Sequence, residues 1–277
     1  MPEGDTIFRS ARALNRALQG SVITRFETAL APLARVDDEA PLAGRTMQQV
    51  EARGKWLLMH FSGDLILVTH MLMSGSWHIY RIGERWRVPR RDMRVVLATE
   101  SFEAVAFRIQ IARFYTERTL ARDSAIPKLG PDLLKPEFAA DEARQRLLAL
   151  GDEEVGNALL NQRVMAGIGN VYKSEVLFAC GIFPFRLVAS LTPTEVDCIL
   201  ERARKFLAMN VKEATGEAIV TYTGLRRTTH SADPGERLWV YRRRGEGCRR
   251  CGTTIQMRRQ GLGARSTYWC PECQPER

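Results

Sequence analysis

The chain has 277 residues, 45% of them hydrophobic and 26% charged, and carries a formal net charge of +9. This length suits one large domain or two smaller ones, each able to bury a core. The apolar runs are too short to cross a bilayer, and arginines interrupt the N-terminus before a signal peptide could form. The composition therefore excludes a membrane-spanning protein, and we expect a cytoplasmic one.

The positive charge is concentrated near the C-terminus. Residues 226–265 contain eleven arginines, no lysine and three acidic residues. Guanidinium groups favour bidentate contacts with phosphates, and clustered positive charge attracts polyanions. This stretch therefore predicts a polyanionic partner such as a nucleic acid.

The N-terminus could supply a nucleophile. If Met1 is removed, Pro2 presents a free secondary amine beside the carboxylate of Glu3. An α-amine titrates near about 8, against about 10.4 for lysine, so it can act as a nucleophile without burial. Pro2 could then attack the anomeric carbon of a sugar while Glu3 transfers protons. The alternative is that Pro2 merely begins a helix, where its missing N–H costs nothing.

The N-terminal half predicts a helix followed by short strands. Apolar residues recur at helical spacing from Ile7 to Leu18, with Asp5 as the predicted cap and Gly20 ending the helix. Six strand-like runs follow: Val22–Phe26, Lys55–Phe61, Leu65–His70, Ser76–Tyr80, Met93–Ala98 and Phe102–Phe107. Many short strands joined by turns predict an antiparallel β-sandwich.

Two turns of this half could contact a nucleic acid. Lys55 follows Gly54 at the start of a strand and could reach a phosphate, although a solvated lysine is the alternative. The stretch His70–Gly75 is an apolar triplet that meets a Ser-Gly turn. Exposed apolar tips of this kind can wedge between the bases of kinked DNA, whereas the alternative is ordinary core packing.

The pattern changes to helical after a linker at residues 123–136, which is rich in proline and glycine. The predicted helices are Phe138–Leu150, Glu153–Gln162, Val171–Cys180 and Thr194–Met209. A glycine-rich turn precedes the third helix, and such a helix N-terminus is an anion site. Asn170 would cap this helix or bind a phosphate oxygen directly. Cys180 and Cys198 lie in apolar helical settings and are interpreted as core thiols.

Four cysteines near the C-terminus predict a metal site. Cys248 and Cys251 form one pair, and Cys270 and Cys273 form a second pair after eighteen intervening residues. Four thiolates at this spacing fit one tetrahedral structural zinc ion in a reducing compartment, rather than a disulfide framework. The polar insert predicts a β-hairpin that folds only with metal. Arg265 follows its turn with no acidic neighbour in sequence, which suits a phosphate contact.

These elements predict an α+β chain of three domains. Residues 1–122 would form the β-sandwich domain, residues 137–240 a helical domain, and residues 241–277 the zinc hairpin, with the linker at 123–136.

Taken in order, the motifs resemble the formamidopyrimidine-DNA glycosylase / endonuclease VIII family. The matching pieces are Pro2–Gly4, Gly54–Trp56, His70–Gly75, Leu129–Pro131, Gly167–Asn170 and the cysteine pairs with Arg265. Gly4, where the formamidopyrimidine branch commonly has leucine, resembles the endonuclease VIII branch. The resemblance implies an N-terminal helix and antiparallel β-sandwich, a helix–two-turn–helix module and a zinc β-hairpin.

The resemblance also implies an activity. The chain would be a bifunctional DNA glycosylase and abasic-site lyase of base excision repair. Pro2 would form a Schiff base with the deoxyribose of a flipped nucleotide, Glu3 would handle protons, and elimination would cut the strand. Oxidised pyrimidines fit the endonuclease VIII branch, and 8-oxoguanine or formamidopyrimidine lesions are the alternative.

The resemblance further assigns the DNA contacts. Lys55, Asn170 and Arg265 match residues that hold phosphates around the lesion. Leu72 and Met73 become the candidates for filling the gap left by the flipped nucleotide. The implied partners are damaged DNA and one structural zinc ion, in a protein expected to be a monomer.

Two departures from the family pattern leave questions open. Thr6 stands where members often carry glutamate, so the role of that carboxylate is either taken by Asp5 or absent. No Arg-Phe-Gly element occurs in the second half of the sandwich, so the contact with the orphaned base is not assigned. The loop Thr215–Glu236 is expected to shape the base pocket. Two other classes remain possible, a non-catalytic zinc-ribbon damage sensor and an RNA-binding protein, and neither needs Pro2 or Glu3.

Overall fold

A computed structural model describes residues 2–124, 126, 128–212, 226–229 and 233–276. Met1 and most of the loop Thr215–Glu236 lie outside the described residues. The described chain divides into two compact units, the first ending at residue 128 and the second beginning at residue 129. The finer domain limits drawn from the sequence remain predictions. No described helix is both long and apolar enough to cross a membrane.

The first helix, α1, spans Gly4–Leu18 and buries the apolar stripe predicted for it. The predicted cap is wrong. Glu3 occupies the N-cap position, and Asp5 lies inside the first turn, where its carboxylate pairs with Arg9 at 3.5 Å. A carboxylate anywhere in the first turn interacts favourably with the helix dipole, so an acidic residue there does not by itself mark the cap.

Eight strands form the first unit's two antiparallel sheets. They are β1 (Arg25–Thr28), β2 (Met47–Arg53), β3 (Trp56–Phe61), β4 (Leu65–His70), β5 (Ser76–Arg81), β6 (Met93–Ala98), β7 (Phe102–Phe107) and β8 (Ile111–Tyr115). The sheet orders are β2-β3-β4-β8 and β1-β6-β7-β5. Buried residues of both sheets, such as Leu67 and Val95, join α1 in one hydrophobic core. The predicted β-sandwich is confirmed.

The sequence did not predict β2, β8 and two short helices, α2 (Ala31–Glu39) and α3 (Glu117–Ala121). β2 and β8 are the edge strands of their sheet. Edge strands carry polar residues and irregular pairing, which hide the alternating pattern. β2 shows both, because its exposed glutamines lie where the register shifts between Met47 and Gln49.

The second unit is helical and ends in a hairpin. Its helices are α4 (Ala140–Leu148), α5 (Val155–Ala158), α6 (Asn170–Ala179) and α7 (Pro193–Lys212), and its strands are β9 (Gln256–Gln260) and β10 (Arg265–Trp269). All four predicted helices are present, although the second is reduced to one turn. β9 and β10 pair antiparallel between the cysteine pairs, as predicted.

Cys180 and Cys198 form a disulfide that joins the end of α6 to α7. Their interpretation as free core thiols is therefore wrong, and both residues are half-buried rather than fully enclosed. Their Cα atoms lie 5.9 Å apart, within the range that a disulfide spans. Helical periodicity gives the face on which each cysteine lies but not the crossing of two helices, so the sequence could not reveal this pairing.

Candidate functional site

Pro2 and Glu3 lie directly before α1, and the helix fixes both. The carbonyl of Glu3 accepts the N–H groups of Thr6 at 2.9 Å and Ile7 at 3.1 Å, which are the first hydrogen bonds of the helix. Pro2 is half-buried, whereas Glu3 is completely enclosed. A partly exposed proline therefore stands next in the chain to a glutamate that is removed from water. This arrangement suits a nucleophile with an adjacent group for proton transfer.

Lys55 lies in the turn between β2 and β3. The preceding Gly54 has a φ of +57°, a left-handed conformation that glycine adopts without strain. Trp56 pairs with His70 across β3 and β4, and the two rings lie 4.8 Å apart. Burial, and then the charge of Lys55, lower the pKa of His70 to about 4. Lys55 therefore lies near a histidine that is neutral at physiological pH.

The turn after His70 carries the two predicted wedge residues. The N–H of Leu72 donates to Nδ1 of His70 at 3.0 Å, which requires that nitrogen to be unprotonated. Leu72 has a φ of +48° and is half-buried, while Met73 is 61% exposed. A side chain at Gly75 would come within 2.6 Å of the Met71 carbonyl, so the turn can close this tightly only with glycine. Met73 is thus the exposed tip of the turn, and Leu72 is partly enclosed beside it in sequence.

Asn170 does not cap α6. Gly169 is the N-cap residue, and the Asn170 amide instead donates from Nδ2 to the carbonyl of Ser266 in β10 at 2.7 Å. Asn170 is only 6% exposed, and within the described part of the chain its Oδ1 accepts no hydrogen bond. The capping prediction fails because Asn170 is already the first residue of the helix, one position after the N-cap. Its bond to Ser266 places Asn170 beside the strand that begins with the exposed Arg265.

The four cysteines converge at one point. Their sulfur atoms lie within 4.8 Å of one another, with Cys251 Sγ 3.4 Å from Cys270 Sγ and 3.5 Å from Cys273 Sγ, and Cys248 Sγ 3.9 Å from Cys273 Sγ. Four sulfurs about 2.3 Å from a tetrahedral ion stand about 3.8 Å apart, so the cluster fits zinc. All four ligands would come from the protein, so no coordination position would be left for water or a substrate. The predicted structural zinc site is confirmed.

A buried carboxylate connects α6 to the segment that leads into this site. Glu175 is fully buried and accepts the backbone N–H groups of Trp239 at 2.8 Å, and of Val240 and Tyr241 at 2.9 Å, together with the hydroxyl of Thr228. Burial raises the pKa of Glu175, and these donors oppose the rise. This residue was not predicted from the sequence. The available signal was a pair of charged residues two positions apart in a helix whose other residues are mostly apolar.

Models of known families match nearly the whole chain. The formamidopyrimidine-DNA glycosylase N-terminal domain matches residues 1–120, and the formamidopyrimidine-DNA glycosylase H2TH domain matches residues 129–221. A zinc finger found in FPG and IleRS matches residues 245–275. These matches confirm the resemblance drawn from the motifs.

Curated relatives cover the chain from end to end. A "Probable endonuclease 8 2" of Streptomyces coelicolor is 39% identical over 99% of this chain and 94% of its own length. The "DNA-(apurinic or apyrimidinic site) lyase Nei2" of Mycolicibacterium smegmatis is 40% identical over 99% of both chains. Endonuclease 8 of Escherichia coli is 30% identical over 99% of this chain and all of its own. A Lactococcus lactis Fpg solved with DNA containing an abasic site has the same fold, with a TM-score of 0.82 at 22% identity over 99% of this chain and 100% of that chain.

Proposed function

Because the chain belongs to the formamidopyrimidine-DNA glycosylase and endonuclease 8 family, we propose that Pro2 is the nucleophile with which it removes damaged bases from DNA and cleaves the abasic strand. The observation that carries this proposal is the position of Pro2, half-buried directly before the enclosed carboxyl group of Glu3. A protein that only bound DNA would need neither residue in this arrangement.

The chemistry follows from this pair. Once Met1 is removed, the Pro2 nitrogen attacks C1′ of the flipped nucleotide, and the glycosidic bond breaks with its electrons passing to the base. Glu3 transfers the proton that accompanies opening of the sugar to an iminium. The iminium acidifies the hydrogens on C2′, so loss of one of them breaks the C3′–oxygen bond and cuts the strand. Hydrolysis of the iminium then frees Pro2.

The DNA contacts come from both units. Lys55 and Arg265 each offer a cation to a phosphate. Asn170 has two amide hydrogens, of which one is used by the Ser266 carbonyl, and the second would donate to a phosphate oxygen. The four cysteines would hold one zinc ion, which supplies no chemistry to the reaction and fixes the hairpin that carries Arg265.

The substrate preference and setting are further proposals. Full-length relatives that are 39% and 30% identical carry the name endonuclease 8, which favours oxidised pyrimidines as substrates. Arg108, near the place where the Arg-Phe-Gly element was sought, pairs with Asp92 at 2.7 Å and so offers no obvious hold on the orphaned base. We propose a monomeric cytoplasmic enzyme that works on the bacterial nucleoid.

Borohydride trapping on abasic-site DNA tests the proposal. Protein with a verified N-terminal proline should become covalently attached to the DNA. Pro2→Gly should lose most of the adduct, and Glu3→Gln should lose removal of 5,6-dihydrouracil. Glu100→Gln, in an exposed turn, serves as the matched control and should behave as wild type. Absence of any trapped species would favour a damage sensor. Undiminished strand cleavage by protein that retains Met1 would remove Pro2 from the mechanism.

A further inference from the structure

A buried lysine lies where α6 meets the hairpin. Lys173 has 0% of its surface exposed, and its Nζ donates to the hydroxyl of Thr267 in β10 at 2.6 Å. Lysine is almost never fully buried unless its charged group is satisfied. Being enclosed, Lys173 contacts neither solvent nor substrate, so the proposed reaction gives it no direct role.

The Thr267 hydroxyl continues a chain of hydrogen bonds. It donates to Oε1 of Gln260 in β9 at 2.9 Å, and Nε2 of Gln260 donates to a carboxylate oxygen of Glu154 and to the Pro184 carbonyl, both at 2.9 Å. Gln260 and Thr267 are buried as well. Lysine has only donors and a carboxylate only acceptors, so these hydrogen bonds can point in only one direction, from Lys173 towards Glu154. They therefore specify one arrangement of α6, the hairpin and the start of α5.

Neighbouring bonds extend this contact along the strand. Nδ2 of Asn170 donates to the Ser266 carbonyl at 2.7 Å, and the N–H of Tyr268 approaches the Ser174 hydroxyl at 3.5 Å, on either side of the Lys173 bond. Three consecutive residues of β10 thus contact α6, beginning one residue after the arginine predicted to hold a phosphate. A shift of the β10 register by one residue would turn the Thr267 side chain to the opposite face and break the series of hydrogen bonds that begins at Lys173.

Two glycines allow the hairpin to approach this closely. A Cβ atom at Gly156 would come within 2.3 Å of the Gln260 side chain, and one at Gly261 would come within 2.5 Å of the Asn157 side chain. Gly261 also has a φ of +67°, which other residues rarely adopt. The hairpin is therefore held both by close contact with α5 and by the hydrogen bond from Lys173.

We propose that Lys173 is a positioning residue that acts through Thr267 and Gln260 to hold Arg265 and Asn170 in one phosphate-binding frame. This inference rests on the proposed function, which assigns phosphate contacts to those two residues. A buried ionic group is weak evidence for stability, because well-packed apolar residues of similar volume often stabilise a fold equally well or better. We therefore expect Lys173 to fix the positions of Arg265 and Asn170 rather than to raise the free energy of unfolding.

The variants Lys173→Met and Thr267→Val separate geometry from stability. Each replaces a polar group by an apolar one of similar size. We expect both proteins to bind one zinc ion. Lys173→Met should unfold near the wild-type temperature, whereas Thr267→Val, which removes the hydroxyl that accepts from the buried Lys173 ammonium, should unfold somewhat earlier. Their affinity for abasic-site DNA should fall about tenfold, the size of one charge-assisted hydrogen bond. Thr267→Ser, which keeps the hydroxyl, should restore binding, and Ser266→Ala is the control because only the backbone of Ser266 is used.

A double-mutant cycle with Arg265→Ala shows whether the effect passes through the arginine. If Thr267 acts by placing Arg265, Thr267→Val should weaken binding little further once Arg265 is alanine, and the salt slope of binding should fall by about one in either single variant. Independent, additive losses would overturn the proposal. So would loss of zinc by either variant, or early unfolding of Lys173→Met, since the network would then be structural.

The same experiment separates this inference from the proposed function. Borohydride trapping by wild-type protein, together with unchanged DNA binding by Arg265→Ala, would keep the glycosylase and overturn the positioning role. Failure of the wild type to be trapped would instead count against the proposed function, while a non-additive cycle in binding alone would still support the positioning of Arg265.

Discussion

The two units hold their proposed site residues by different physical means. In the first unit, Pro2, Lys55 and Met73 stand at a chain end or in turns, supported by a core of apolar side chains. In the second unit, Asn170 and Arg265 are supported by buried polar groups and a metal site.

This difference in support agrees with the role proposed for each unit. An apolar core is non-directional, so it anchors turns without fixing each polar atom. Buried hydrogen bonds have one satisfied geometry and rigidify what they connect. We infer that the first unit tolerates adjustment as a nucleotide enters, whereas the second presents phosphate-binding groups in a fixed arrangement.

The largest expected effect is loss of the metal. A strong chelator, or Cys270→Ser, should unfold the hairpin and lower DNA affinity more than about a hundredfold, because the energy of zinc binding is part of the folding energy. The first unit should keep its own unfolding transition. Zinc content and calorimetry measure both, and Cys198→Ser, outside the cluster, should retain one zinc ion. Simultaneous melting of the sandwich would break the distinction between the units.

Removal of a buried acceptor should come next. Glu175→Ala leaves three backbone N–H groups without their acceptor, at about 1–3 kcal/mol each, so the second unit should lose at least about 3 kcal/mol. Glu201→Ala, at an exposed position of α7, should change stability by less than about 0.5 kcal/mol. Chemical denaturation measures both. Equal stabilities would show that polar groups do not support this unit.

Truncation of the apolar tip should affect activity without affecting the fold. Met73→Ala should lower base removal from duplex DNA about tenfold and leave single-stranded substrate nearly unaffected, because only a duplex must be kinked and its gap filled. Ile82→Ala removes another exposed apolar side chain of the same unit and should have no effect. A loss of thermal stability in Met73→Ala would mean that the residue packs rather than wedges.

A further expected effect is that the stabilities of the two units depend differently on pH. Burial lowers the pKa values of His70 and His78 to about 4, so between about pH 6.5 and 4 the unfolded chain binds protons that the native first unit does not. These histidines therefore make the first unit less stable as the pH falls through that window.

Glu175 has the opposite effect on how stability changes with pH. Burial raises its pKa above the usual value, so native protein binds the proton first and the second unit gains stability from this group as the pH falls. Denaturation measured from pH 7 to pH 4.5 should show that the first unit loses stability as the pH falls. The double variant His70→Gln, His78→Gln should make the stability of that unit less dependent on pH. A first transition that is insensitive to these substitutions would contradict the assignment.

The sequence predicted the parts of this fold whose signals are local. The stripe of α1, the interior strands and the paired cysteines depend on spacing within a few residues. β2 and the disulfide between Cys180 and Cys198 were missed because edge pairing and helix crossing are not encoded in local periodicity. For the same reason the sequence identified Asn170 but not its true partner, the carbonyl of Ser266, which lies 96 residues away.

The close approach of Gly156 to Gln260 constrains how this protein can diverge. The Gln260 amide is held by a hydroxyl, a carboxylate and a carbonyl, so it cannot move aside for a methyl group at residue 156. Position 156 therefore cannot change alone, and alanine there should be found only in homologues with a shorter side chain at 260. The two sites should covary even though more than a hundred residues separate them.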